Sequence, residues 1–235
     1  MKRIFLLLTI ALLAAAQPIL ADKLGEYVLN VGEFTKIKVP DRVDVVYRNV
    51  PDSAGMITYA ATPRHAEAYS FNVKKGTLQI HLEQEWEQGM PTVYVYSTFL
   101  SGVENEADGT LTVCSPAPCP SFDAKLIGNG RIIVDNINTT RTNASLMTGN
   151  GSIIMTGSTQ EASASMMGAG KIDLSCLSAR DVSCRSVGSG WISCWARKKL
   201  TVKGLGSTKI YYRGDPEISK MGAAKILPIT DQPKD

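Results

Sequence analysis

Hydrophobic and polar residues alternate through the second half of the chain in a pattern that returns about every 20 residues. Two sets of mostly apolar residues stand four and six positions after recurring glycines. They are Ile132, Ile153, Ile172 and Ile192, and Val134, Met155, Leu174 and Cys194. The positions between them are mixed. Because successive side chains of a strand point to opposite faces, the pattern predicts strands with one apolar, inward face.

The glycines that punctuate this pattern form a repeat of their own. Gly-x-Gly begins at Gly128, Gly149, Gly168, Gly188 and Gly204, and Gly222-Ala223-Ala224 is a decayed copy. Intervals of this size between turn glycines are typical of a solenoid. The glycines are explained by sharp corners with positive φ. A phosphate-binding loop is disfavoured, because strand-like alternation follows them instead of a helix.

The residues before each glycine predict a second strand in every repeat. Positions four and two before it are mostly small or apolar, and we expect them to point inward. They are Ala124, Ser145, Ala164, Cys184 and Leu200, and Leu126, Met147, Met166, Ser186 and Val202. Stacked repeats then pair equivalent strands in parallel, with right-handed crossovers. The predicted fold is all-β, a right-handed parallel β-helix with coils of about 20 residues.

The first half of the chain is also β-rich but less regular. Short apolar runs separated by turn residues cover 34–39, 43–47, 56–60, 77–82 and 92–97, and no segment shows a sustained helical period. We therefore predict one β-helix domain over 22–235. Irregular coils make up 22–120, and regular Gly-x-Gly coils make up 121–227.

The amino terminus has the pattern of an export signal. Lys2 and Arg3 precede an apolar run over 4–16 that is interrupted only by Thr9. This run is too short for a membrane helix, which needs about 20 residues. It predicts a signal peptide over 1–21, a mature start near Asp22 and no membrane span. We expect the protein in the periplasm, on the outer surface or secreted.

Charge and cysteines narrow the function further. The formal net charge is +3, and the longest basic cluster is 197–199, so nucleic acid is not an expected partner. Five cysteines in an exported chain leave at least one unpaired. Cys114 and Cys119 bracket a four-residue loop and are the predicted disulfide, while pairings among Cys176, Cys184 and Cys194 stay open. No metal site or cofactor is expected.

Several segments together resemble a known family. They are Phe-Thr-Lys-Ile-Lys-Val at 34–39, Asp-Val-Val-Tyr at 44–47, Gly-Thr-Leu-Gln-Ile at 76–80, the Gly-x-Gly coils, and Ile-Tyr-Tyr-Arg-Gly-Asp-Pro at 210–216. In order and spacing the chain resembles the putative auto-transporter adhesin, head GIN domain family. The resemblance implies a secreted or outer-surface β-helix from a Gram-negative cell envelope. It implies no catalytic residues.

Residues for catalysis are sparse. The two histidines, His65 and His81, have no serine or cysteine nearby at a recognisable nucleophile turn. Asp135 and Asp173 follow their glycines at different distances, so no acidic ladder is expected on that face. The predicted function is therefore not enzymatic. A carbohydrate-active enzyme, a polysaccharide lyase or glycoside hydrolase, is the alternative, because parallel β-helices also carry such activities.

The strongest surface feature is a pair of tryptophans. Trp191 and Trp195 stand three and seven residues after Gly188, on the predicted outward face, and Tyr211 falls on the following coil. Aromatic rings on a rigid sheet stack on sugars or anchor protein contacts. We predict adhesin-like binding of glycan or protein through these three residues. The competing interpretation is that a loop, a terminal segment or a subunit covers them; the oligomeric state is left open.

Overall fold

The computed structural model describes residues 23–84 and 89–229, and the predicted signal peptide lies outside them. The described chain contains 17 strands, one short α-helix, α1 (Pro63–Ala66), and one 3₁₀ turn (Pro51–Ser53). The strands are β1 (Gly25–Asn30), β2 (Lys36–Val39), β3 (Val45–Arg48), β4 (Met56–Ala61), β5 (Tyr69–Lys74), β6 (Thr77–Leu82), β7 (Val93–Tyr96), β8 (Gly102–Asn105), β9 (Thr110–Cys114), β10 (Cys119–Ile127), β11 (Arg131–Thr148), β12 (Ser152–Gly168), β13 (Lys171–Gly188), β14 (Trp191–Gly206), β15 (Lys209–Arg213), β16 (Glu217–Gly222) and β17 (Lys225–Pro228). No helix in the described part is long and apolar enough to cross a membrane.

The strands form one curled sheet, a β-solenoid of about 6 turns. From β8 onward every pairing is parallel, and the long strands β11 to β14 wrap around the molecule. The first part of each long strand stacks on one wall, and its second part stacks on the other. The all-β solenoid predicted from the glycine repeat is confirmed.

The predicted isoleucine column is the centre of the apolar interior. Ile132, Ile153, Ile172 and Ile192 pair in direct register and are fully buried. The column is longer than the glycine repeat predicts, because it continues through Val93, Val45 and Leu111 on one side and through Ile210 and Ile226 on the other. Residues stacked this way are about 4.8 Å apart, so each coil covers the apolar interior of the next coil.

The predicted inward set before the glycines is wrong in one coil. Leu126 pairs with Leu146, which is fully buried, whereas Met147 is 39% exposed. Likewise the inward residue is Ala144, and Ser145 is only half-buried. The pairing of β10 with β11 shifts between Leu126 and Ile127, because β11 has one additional residue before its corner glycine. Met147 therefore points outward.

The last regular corner also differs from the prediction. The residue that stacks on Gly188 is Gly206, not Gly204. Gly206 has φ +100°, and a Cβ built on it would lie 2.4 Å from the carbonyl oxygen of Gly188. Gly204 lies instead beside Ser186 in the interior. The corner glycine of the last regular coil therefore lies two residues later in the sequence than the Gly-x-Gly repeat predicts.

The N-terminal half is irregular because its strands are not stacked in chain order. The coil formed by β2 and β3 lies between the β6–β7 coil and the β8–β9 coil, although it precedes both in sequence. Beyond β6 and β7 the pairing becomes antiparallel: β5 pairs with β6, and β4 joins β7 to β1. These antiparallel strands, which the repeat did not predict, close this end. An aromatic cluster of Tyr27, Tyr59, Tyr69 and Phe71 packs there.

Candidate functional site

The predicted aromatic residues lie together on the outward face of the last regular coils. Trp191, Ser193 and Trp195 alternate along β14 with interior residues, as the period-two pattern requires, although Ser193 is itself only 5% exposed. Their neighbours on β15 are Lys209, Tyr211 and Arg213. Lys171 and Asp173 of β13 lie on the other side, beside Trp191 and Ser193. We call Trp191, Trp195 and Tyr211 the aromatic patch.

Trp191 and Tyr211 are in contact. Their ring centroids are 6.3 Å apart and the planes meet at 84°, an edge-to-face arrangement. Such pairs are favoured because the positive edge of one ring meets the negative face of the other. In register, Trp191 lies between Lys171 and Lys209. Both rings are half-buried, so each keeps part of its surface open to solvent.

Trp195 forms a second aromatic position in the patch. The guanidinium carbon of Arg213 lies 4.6 Å from the centroid of the Trp195 ring, a cation–π contact. Trp191 and Trp195 are four strand residues apart, which corresponds to about 13 Å along the sheet. The patch therefore has two separate aromatic positions, with Ser193 and the neighbouring Asp173 between them.

Asp173 places a carboxylate at the middle of the patch. Its Oδ1 accepts hydrogen bonds from the Ser175 amide at 3.0 Å, from the Ser175 hydroxyl at 2.6 Å and from the Ser193 hydroxyl. Burial acts to raise the pKa of Asp173, but these hydrogen bonds and the charge of Lys171 outweigh it and lower the pKa. Oδ2 accepts no hydrogen bond from the described residues.

The cysteines are free thiols throughout the structure. Cys114 is half-buried, whereas Cys119 is buried and donates to the carbonyl of Ser121 at 3.3 Å. The Cys114–Cys119 disulfide stays a prediction. Cys184 and Cys194 are both fully buried, as expected from their inward positions. A hydrogen bond between these two thiols, together with burial, raises the pKa of Cys184 well above its usual value.

Sequence reasoning missed a ladder of charges on the other wall. Arg141, Glu161, Asp181 and Lys199 pair in register on successive coils. The glycine repeat marks only positions at a fixed distance after each glycine, and these residues lie midway between corners. The Arg141 Nε and Glu161 Oε2 atoms are 3.1 Å apart. The ladder lines a shallow groove of about 330 Å³ together with Asn143, Ala162, Ser163, Val182, Ser183 and Thr201.

The adjacent carboxylates of Glu161 and Asp181 bear on the enzyme alternative. Glycosidases place two carboxyl groups roughly 5 to 10 Å apart, but enclose one of them so that it stays protonated. Here the side chains of Glu161 and Asp181 are 56% and 38% exposed, and each lies beside an arginine. No group of three or more potential metal ligands occurs in the described residues. This groove therefore lacks the enclosure that such an acid needs.

Comparison with known families identifies the chain. Residues 33–216 match the family described as putative auto-transporter adhesin, head GIN domain. The chain belongs to this family. The match spans the irregular coils, the regular coils and the aromatic patch, and the resemblance drawn from the sequence motifs is confirmed. None of the curated proteins compared with the chain matches it significantly.

Solved structures share the solenoid. A putative adhesin from Bacteroides fragilis NCTC 9343 superposes with a TM-score of 0.77 at 22% identity. A putative lipid binding protein from Parabacteroides distasonis ATCC 8503 gives 0.70 at 21%, and a putative adhesin from Parabacteroides merdae ATCC 43184 gives 0.65 at 15%. Each comparison covers 89% of this chain and 98% of the other. At these identities the similarity shows the shared fold.

Proposed function

We propose that this member of the head GIN domain family is an exported, non-catalytic protein of the cell envelope that binds glycan through its aromatic patch. The observation that carries the proposal is the edge-to-face pair of Trp191 and Tyr211 beside the carboxylate of Asp173. The charged amino terminus and apolar run over 4–16 support export. The adhesin description of the family supports a surface role.

The chemistry of the patch suits a sugar better than a flat protein surface. The C–H face of a pyranose stacks on an aromatic ring, while its hydroxyl groups need charged or polar partners nearby. The Oδ2 of Asp173, which accepts no hydrogen bond from the described residues, offers such an acceptor, and Lys171 and Lys209 offer donors beside Trp191. Because the strands hold every one of these groups in register, little ordering is needed on binding.

A glycan array tests this function. The wild-type protein is expected to bind a subset of glycans, and Trp191→Ala to weaken that binding by about tenfold or more, because stacking area is lost. Trp195→Ala is expected to give a smaller loss, since Arg213 already covers part of that ring. A panel of matrix proteins run in parallel detects the alternative, in which the same patch anchors a protein.

The matched control is Tyr94→Ala. Tyr94 is a half-buried tyrosine of β7 with Arg48 at 5.4 Å from its ring centroid, so it reproduces the aromatic–arginine environment far from the patch. Its removal should leave glycan binding unchanged. The proposal fails if the wild type binds no glycan, or if all three variants bind as the wild type does. Turnover of a bound polysaccharide would favour the lyase or hydrolase instead.

A further inference from the structure

A line of exposed apolar side chains follows one corner of the solenoid. Each member stands one or two residues before a corner glycine and is between 39% and 66% exposed. The members are Met147, Met167, Val187, Leu205 and Met221. We call them the apolar ridge. Monomeric proteins rarely expose a continuous apolar row, so such a row marks an interaction surface.

The strand register makes the middle of the ridge continuous. Met167, Val187 and Leu205 are direct neighbours on β12, β13 and β14. Met147 follows Leu146, which pairs with the residue before Met167, and Met221 pairs with Lys203 on the last coil. With strands about 4.8 Å apart, the four coils from Met147 to Leu205 give a row about 14 Å long, and Met221 lies beside its end, two strand residues from the position that would stack on Leu205. The residues at the tips of the turns beside it are small: Asn150, Ala169, Ser189 and Ser207.

Cations line the ridge on both sides. Arg185 and Lys203 stand on the strands that enter the corner, and Lys171, Lys209 and Lys225 stand on the strands that leave it. All five are exposed. None forms a salt bridge with a described residue. In register, the row of Arg185 and Lys203 begins at Ser165 on β12 and ends at Met221, the row of the other three cations contains Trp191, and neither row has a carboxylate over these coils.

This combination of shape and charge decides what the ridge contacts. A convex apolar edge fits a soft interface that can close around it. Pairing two ridges from two copies would bring five cations against five, so self-association is opposed. Amphipathic surfaces with apolar residues between lysines and arginines bury the apolar part by about 5–10 Å at the boundary of headgroups and acyl chains. Their cations are attracted to anionic headgroups.

We infer that the apolar ridge and its five flanking cations dock the protein edge-on to an anionic lipid surface. This goes beyond the proposed glycan function, because the ridge lies at a corner and the aromatic patch lies on the adjoining wall. The edge-on orientation leaves Trp195, which is about 13 Å further along β14 than Trp191, away from the lipid plane. Trp191 belongs to both regions, since it stands between Lys171 and Lys209, so the test variants avoid it.

Vesicle co-sedimentation tests the inference. The purified protein is expected to sediment with vesicles of equal parts phosphatidylglycerol and phosphatidylcholine, and to stay in solution with phosphatidylcholine alone. The double variant Val187→Thr, Leu205→Thr should lower vesicle binding at least about tenfold, because both side chains lose apolar area at the interface. Arg185→Gln with Lys203→Gln should lower it by a similar factor, and added salt should weaken wild-type binding.

The control pair is Leu24→Thr with Val28→Thr, which alters side chains that are 70% and 61% exposed away from the ridge. It should leave vesicle binding unchanged, and the ridge variants should keep the wild-type melting temperature. Equal binding to neutral vesicles, no binding to either vesicle, or an equal loss in the control would overturn the inference. So would a dimer in light scattering that the ridge variant dissociates. Glycan binding by the ridge variants separates this result from the proposed function.

Discussion

At the scale of single residues, neighbouring corner positions have different roles. Gly206 allows two backbones to approach, since a Cβ there would lie 2.4 Å from the Gly188 carbonyl oxygen. Leu205, directly before it, points outward and is 66% exposed. The glycine is required by the stacking of coils, whereas the leucine contributes nothing to the core. Substitutions at these two adjacent positions should therefore affect different properties.

Replacing Gly206 by alanine measures the contact between coils. We expect Gly206→Ala to lower the free energy of unfolding by about 2–5 kcal/mol, from positive-φ strain and from the overlap with the coil below. The comparison is Gly32→Ala, because Gly32 also has a positive φ, +80°, but a Cβ there meets nothing within 4 Å. That variant should cost only about 1 kcal/mol. Urea denaturation midpoints of the two variants give the difference, and equal midpoints would contradict a contact cost.

At the scale of elements, the strand register explains which parts of the fold were predictable. The column from Ile132 to Ile192 follows from alternation alone, because each strand that leaves a corner starts at a fixed distance from its glycine. The strands that enter a corner do not end at a fixed distance from its glycine, since an additional residue such as Met147 changes that distance. The ladder of Arg141, Glu161, Asp181 and Lys199 was missed for the same reason. Its register depends on irregularities within the long strands, where the number of unpaired residues varies between coils.

The aromatic patch shows the limit of sequence reasoning at this scale. The outward direction of Trp191 and Trp195 followed from period-two alternation, and the patch remains a prediction as a binding site. From the sequence, Asp173 was considered with Asp135, as part of an acidic ladder that was not expected. Its hydrogen bond from Ser193 joins two coils, and only the register between β13 and β14 brings those residues together. The antiparallel pairing of β1, β4 and β5 could not be predicted from the sequence, because no repeat marks these strands.

Asp173 also gives this pair of strands a dependence on pH. Its pKa is lowered in the folded protein, so its ionised form stabilises the fold above the unfolded value of about 3.9. That contribution is lost as the pH falls through the lower, folded value. We expect Asp173→Asn to be less stable than the wild type at neutral pH and the difference to shrink in acid. Thermal melts at a series of pH values measure it.

The control for Asp173 is Asp215→Asn. Asp215 is exposed and makes no hydrogen bond with a described residue, so its replacement should change the melting temperature little. A difference between Asp173→Asn and the wild type that grows in acid would contradict the assigned role, because a lowered pKa cannot produce that sign.

At the scale of the whole molecule, the two ends of the solenoid differ. The N-terminal end finishes in antiparallel strands, of which β1 and β5 each pair with one neighbour, whereas β16 and β17 continue the parallel stack and each pair with one neighbour among the described residues. All residues of β16 are exposed, including Ile218 at 41% and Met221 at 66%. Charged residues, among them Glu217, Lys220 and Lys225, stand on these last strands and oppose pairing with another sheet edge.

The single neighbour and the exposure of β16 and β17 predict that the C-terminal half opens first at these strands. Amides of β16 and β17 should exchange with solvent faster than those of β12 and β13, because the last coil has a neighbour on one side only and little buried area. Hydrogen exchange followed by mass spectrometry resolves these segments. Protection that is uniform along the solenoid would show instead that all coils unfold as one unit.

The position of β2 and β3 between later coils also sets an order in time. These strands are made early, yet their partners on both sides, β6 with β7 and β8 with β9, come later in the chain. A growing chain thus leaves β2 and β3 without any partner until β6 and β7 have emerged, and without partners on both sides until about residue 114 has emerged. Once it has, each subsequent coil adds to a finished surface. Assembly is therefore slow to start and sequential afterwards. Shortening the chain from the C-terminus removes single coils, whereas shortening it from the N-terminus removes β2 and β3, on which the later coils stack.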